Sequence, residues 1–168
     1  ERDGNKIARF DPQTEIWEER VIPTPGSQPW GVALDGNGNV WFAEIAANKI
    51  GKLEVASGLF SEYAIPTANS QPWDVAVADD QTVWFTEKAG NKIGKLVPAT
   101  GLITEYSVPT LNAQPSGIAV FDDAVYGLMI WFTEPAANKV GRLKTVNGQI
   151  LEFSPPTPSS APQDVTLT

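Results

Sequence analysis

Residues 28–53 read QPWGVALDGNGNVWFAEIAANKIGKL, and residues 71–96 read QPWDVAVADDQTVWFTEKAGNKIGKL. The second string repeats the pattern of the first, 43 residues further on. Self-similarity at a period of 40 to 50 residues is the mark of a repeat architecture and takes precedence over local pattern. Trp-Phe-(Ala/Thr)-Glu ends at Glu44, Glu87 and Glu134, and Glu1 holds the same place in the register. Asn-Lys-(Ile/Val)-(Gly/Ala)-(Lys/Arg) begins at Asn5, Asn48, Asn91 and Asn138. Prolines recur at Pro23, Pro66, Pro109 and Pro156, and again at Pro29, Pro72, Pro115 and Pro162.

Each unit predicts four short strands. In the unit after Pro29 these are strand A over 30–34, B over 40–43, C over 49–55 and D over 59–65. Asp35-Gly36-Asn37-Gly38-Asn39 supplies the glycines and asparagines that a hairpin turn requires. Proline lacks an N–H and suits the ends of strands better than their centres. Four antiparallel strands in 40 to 45 residues make one propeller blade. The small residues of strand A fit a crowded central axis, and the aromatics of strand B fit the contact between blades. One blade cannot bury both of its faces, so blades must stack.

The expected fold is therefore all-β: a β-propeller of four-stranded antiparallel blades, with three complete blades and one split blade. Residues 1–29 hold strands C and D of the split blade and a linker. Blades follow over 30–72, 73–115 and 116–161, the last with a longer A–B loop, and 162–168 supplies strand A of the next. The split blade without its strand B points to a segment of a larger ring, or to one that completes its ring with another chain. Further blades are thus the first expected partner.

Bulk composition narrows the function. The formal net charge is −8 and the sequence pI about 4.5, which opposes binding to a phosphate backbone. Neither basic runs nor an apolar stretch of about 18 residues is present, so neither nucleic-acid binding nor membrane insertion is expected. With no cysteine there is no disulfide framework or thiolate site. The chain also lacks histidine, the commonest general base near neutral pH and the commonest transition-metal ligand.

The quoted strings resemble the blade repeat of virginiamycin B lyases. That resemblance implies a seven-bladed propeller that opens a cyclic depsipeptide by elimination, with Mg²⁺ as the possible cofactor. It also implies working histidines just after the proline that opens strand A, in a Pro-His-Gly string, together with the glutamate that ends Trp-Phe-Thr-Glu. Here the histidine position is held by Trp30, Trp73, Ser116 and Gln163, while the glutamate position is kept at Glu44, Glu87 and Glu134.

Antiparallel neighbours bring the start of A beside the end of B. Glu44, Glu87 and Glu134 with Trp30, Trp73, Ser116 and Gln163 are therefore the candidate ligand site, circling the mouth of the central channel. Carboxylates edged by indoles suit a cation or polar ligand, and carboxylate oxygens suit Mg²⁺ or Ca²⁺. The competing role for the glutamates is structural: accepting bonds from backbone N–H groups or from Lys6, Lys49, Lys92 and Lys139. Trp30 and Trp73 have packing near the axis as their competing role, and the Asn-Lys pairs read as the B–C turn. Asp74 and Asp164 could join a cation site, although a turn or surface role is the plainer one.

The third complete unit is four residues longer than the others, within 122–129. Val125, Tyr126, Leu128 and Met129 are apolar for a hairpin tip and form a candidate partner contact, on the face opposite the glutamates. The favoured function is a non-catalytic binding or scaffolding module, outside the cytoplasm: secreted, periplasmic or cell-surface. The alternative is a Mg-dependent carbon–oxygen lyase or a lactonase whose catalytic histidines lie outside these residues. A carboxylate base from Glu44, Glu87 or Glu134 would need desolvation to raise its pKa. Ser116 has no histidine to activate it.

Overall fold

The computed structural model describes residues 1–167. Fourteen strands are present among them, in four antiparallel sheets. The first sheet has two strands, β1 (Lys6–Asp11) and β2 (Ile16–Val21). The second runs β3 (Pro29–Leu34), β4 (Val40–Glu44), β5 (Lys49–Glu54) and β6 (Leu59–Ala64) in spatial order. The third repeats this with β7 (Pro72–Val77), β8 (Val83–Glu87), β9 (Lys92–Val97) and β10 (Leu102–Ser107). The fourth comprises β11 (Ile118–Asp123), β12 (Gly127–Glu134), β13 (Lys139–Lys144) and β14 (Gln149–Phe153). This is the propeller pattern of three complete blades and one split blade.

Blades meet through the two faces of strand B. Trp41, Ala43 and Ile50 of the second blade pack against Val75, Val83, Phe85 and Leu96 of the third. Trp84 and Ile93 then pack against Ile118, Ile130, Phe132 and Leu143 of the fourth. Strand B thus offers Trp to one neighbour and Phe to the other, as its two-residue period dictates. Each indole also stacks on an aromatic of strand D in its own blade: Trp41 on Tyr63, Trp84 on Tyr106 and Trp131 on Phe153, all at 5.9 Å between ring centroids. Full burial of the Trp41 and Trp84 rings contributes about 1.5–3 kcal/mol each.

The Phe of strand B also fixes a glycine. A Cβ on Gly94 would stand 2.1 Å from Cζ of Phe85, and Gly51 and Gly141 are pressed in the same way by Phe42 and Phe132. The recurring Gly in Asn-Lys-Ile-Gly-Lys is therefore a floor for the ring, not a turn.

Two expectations change. Residues 162–167 form no strand; the Gln163 carbonyl accepts from the Gly117 N–H and the Thr133 hydroxyl, but a strand needs a partner along its length and no B strand among the described residues lies beside this segment. Thr168 lies outside the described residues. The long A–B loop of the fourth blade is also shorter than its sequence implied. Asp123 pairs with Gly127, Asp122 with Leu128 and Phe121 with Met129, so the hairpin grows by regular pairing and leaves residues 124–126 as its tip.

Candidate functional site

The inner strands begin where the outer ends of strand B finish. Pro29 pairs with Glu44, and Pro72 with Glu87, which places the residue after each proline at one end of the blade. There Trp30, Trp73, Asp74, Ser116, Gly117, Gln163 and Asp164 line a single cleft of about 260 Å³. The structure therefore brings together all four residues that occupy the histidine position of the resemblance.

The indoles of Trp30 and Trp73 lie 5.0 Å apart between centroids, tilted at 44°. Trp30 is 42% exposed, so it forms a wall of the cleft and is not packed away. Both indoles already carry a cation: the Lys88 ammonium lies 3.9 Å from the Trp73 ring centre, and the Arg2 guanidinium 5.7 Å from that of Trp30. Such contacts show that these π faces present negative potential. Ser116 is buried, and its backbone is tied to the next strand by Ser116 N–H to Thr133 O. Asp74 accepts bonds from the N–H groups of Val75 and Ile118, and burial raises its carboxyl above the usual range. Asp164 accepts from the Val165 N–H. Gly31 and Gly117 are needed here, since a Cβ on either would fall within 2.6 and 2.7 Å of Asp74 and Asp164 respectively.

Glu44, Glu87 and Glu134 do not face this cleft. Their side chains turn into the blade and are wholly buried, and neither oxygen of any of them has a hydrogen-bond partner. Burial, reinforced by the carboxylates of Glu62, Glu105 and Glu152, pushes them up to about 7, 8 and 7, against the opposing pull of Lys49, Lys92 and Lys139. The desolvation that a carboxylate base requires is thus present, but the groups are closed off from the cleft. The expected pairing of these glutamates with the lysines is also corrected. Lys49 pairs with Glu62 at 2.9 Å, Lys92 with Glu105 at 2.8 Å and Lys139 with Glu152 at 2.8 Å, while Lys6 pairs with Glu19. Strand D, which extends away from the turn, offers its carboxylate at the edge of the blade, where the lysine needs to lose less hydration.

Those strand D glutamates were overlooked in the sequence. Glu62 accepts from both the N–H and the hydroxyl of Thr24, in the linker leaving the preceding blade, and Lys49 donates to the same hydroxyl at 2.7 Å. Glu105 with Thr67 and Lys92 repeats the arrangement, as does Glu152 with Thr110 and Lys139. The asparagines do more than turn the chain. With φ near 55°, Asn48 donates to Ile65 O and Thr67 O and accepts from Ser70, which knots the linker. The signal was the recurrence of Glu19, Glu62, Glu105 and Glu152, and of Thr after the first proline, at the blade spacing.

A divalent Mg²⁺ does not fit these residues. It demands near-octahedral oxygen ligands, whereas each buried glutamate has an ammonium nearby and Asp74 is already bonded to backbone N–H groups. Among the described residues no group of three acidic, His or Cys side chains could hold a metal.

The 122–129 segment divides. Val125 and Tyr126 are 80% and 58% exposed at the tip, whereas Met129 is buried and Leu128 packs on the core shared by the third and fourth blades.

Fold and cleft together define a β-propeller segment with an aromatic, polar cleft where its inner strands begin. The chain belongs to the virginiamycin B lyase family, whose pattern it matches over residues 1–128. It is similar to the crystal structure of virginiamycin B lyase from Staphylococcus aureus, with 37% identity and a TM-score of 0.87. A catalytically inactive variant of that enzyme with quinupristin gives 35% and 0.86. Either match covers 98% of this chain and 53% of the other, so the chain spans about half the length of these lyases. A putative gluconolactonase, at 15% identity and a TM-score of 0.65 over 89% of this chain and 56% of its own, shares the fold. No curated protein matches the chain significantly.

Proposed function

We propose that this segment is a non-catalytic binding module whose ligand enters the channel mouth between Trp30, Trp73, Ser116 and Gln163. One observation carries the reading: indole, hydroxyl and amide stand together where the family resemblance calls for imidazole, and the carboxylates that could act as bases are sealed inside the blades. Elimination needs a base in contact with the proton it removes. Two π faces that already attract cations, with two aspartates beside them, favour a polar or cationic ligand. Further blades are the partner that the open face of the split blade would accept.

The 37% identity to a lyase supports a second reading, in which blades outside these residues supply histidines and Mg²⁺. Quinupristin tests the binding-module reading. Added with Mg²⁺ to the chain, it should quench the fluorescence of Trp30 and Trp73 saturably and be recovered intact by mass spectrometry. Ring-opened product would overturn the binding-module reading, and absence of quenching that responds to Trp73→Ala would remove this ligand class from the cleft.

A further inference from the structure

We propose that each complete blade holds one shared proton, between Glu44 and Glu62, Glu87 and Glu105, or Glu134 and Glu152, and that this proton latches the blade to its predecessor.

The geometry counts the charges. Glu87 ends β8 opposite Lys92, and one of its oxygens lies 2.9 Å from where a Cβ on Gly90 would stand. In the second blade Oε1 of Glu44 lies over Gly51, whose strand partner is Glu62. The groups facing each buried carboxyl are thus one carboxylate from strand D, one lysine from strand C, and a serine from the linker, Ser27 or Ser70, with Ala113 in its place in the fourth blade. Two carboxylates and one ammonium leave one negative charge in excess, and a single proton removes it.

No other donor satisfies the inner carboxylate. The lysine is spent on the strand D glutamate and the linker threonine, and the hydroxyls of Ser27 and Ser70 donate to Asn5 and Asn48. An ionised carboxylate in full burial without a single hydrogen bond costs several kcal/mol, so the group takes up a proton instead. Protonated, it becomes a donor, and the strand D carboxylate is the acceptor beside it. The upward displacement of all three glutamates by burial and by that second carboxylate agrees.

The latch follows from what the lysine does. With the inner glutamate neutral, Lys92 stays on Glu105 and on the hydroxyl of Thr67, which belongs to the linker from the preceding blade. Once the proton leaves, the new charge on Glu87 draws Lys92 inward and off Thr67, and the linker loses its hold.

A side-chain carboxyl NMR titration of the full chain tests this, with the Thr67 amide as reporter. The expected result is a set of three glutamates titrating with midpoints near 7 to 8, a Thr67 amide that shifts with the same midpoint as Glu87, and loss of one member of the set together with the Thr67 shift in Glu87→Gln. Glutamates all ionised by about pH 6 would overturn the shared proton. A Thr67 amide that ignores the titration would overturn the latch. The wild-type titration decides the first point even if the variant does not fold.

Discussion

Val32 and Val75 occupy the same place in consecutive blades, yet Val32 is 64% exposed and Val75 only 4%. Ile118, their counterpart in the fourth blade, is 6% exposed. The backbone around all three is alike: an inner strand pairing with a strand B of the same type. What differs is the neighbour. Val75 and Ile118 lie against a blade with four strands, and Val32 faces β1 and β2 alone. Between them lies an apolar groove of about 470 Å³, lined by Ile7, Val32, Leu34, Val40 and Leu53, with Arg9 and Arg20 at its side. Burial in this architecture is therefore set between blades rather than within them.

Substitutions at equivalent positions would sharpen that contrast. The largest effect is expected for Phe85→Ala, which empties the junction of the second and third blades and should cost about 3–5 kcal/mol in equilibrium denaturation. Ile118→Ala should cost about 2–5 kcal/mol, whereas Val32→Ala at the open face should stay within about 0.5 kcal/mol. Equal losses at Ile118 and Val32 would break the comparison.

Next in size is Gly94→Ala. Its Cβ has no room beside the ring of Phe85, and overpacking of this kind costs about 1–3 kcal/mol. Gly36→Ala, whose nearest neighbour is the Gln81 amide at 3.6 Å, should be tolerated in the same melting experiment.

The clamp gives a subtler contrast. Lys92→Met unpairs Glu105, whose side chain is 14% exposed, and should lower stability by about 1–2 kcal/mol. Lys6→Met acts on the solvent-exposed Lys6–Glu19 pair of the split blade and should leave the melting temperature unchanged.

A further effect is spread over pH. The three buried glutamates have folded-state values near 7, 8 and 7, above the 4.5 of an unperturbed glutamate. Between these limits the folded chain binds more protons than the unfolded one, so the stability contributed by protonation is complete below about pH 4.5 and lost as pH rises through 7 to 8. Denaturation midpoints measured across that window should fall with pH, and fall less in Glu87→Gln.

Much of this was legible beforehand. Strand order, the hairpin at Asp35 to Asn39, the prolines at strand ends and the split first blade follow from period and turn chemistry. The co-location of Trp30, Trp73, Ser116 and Gln163 follows from antiparallel pairing alone. What the sequence could not show is direction at a strand's last residue. Glu44 could turn to the channel or into the blade, and only the packing of Gly51 and the linker serine decides it. Leu128 and Met129 misled for a similar reason: an apolar hairpin end looks like a contact surface until its register is known. Glu62 and Thr24, 38 residues apart, form one clamp only when two blades are stacked.

The central claim, that a blade is held by its neighbours, is tested most directly by native-state hydrogen exchange read by mass spectrometry. Amides of β8 and β9, enclosed between two complete blades, should exchange orders of magnitude more slowly than those of β1 and β2. Equal protection of the two sets would show that each sheet is stable by its own pairing, and would contradict the account.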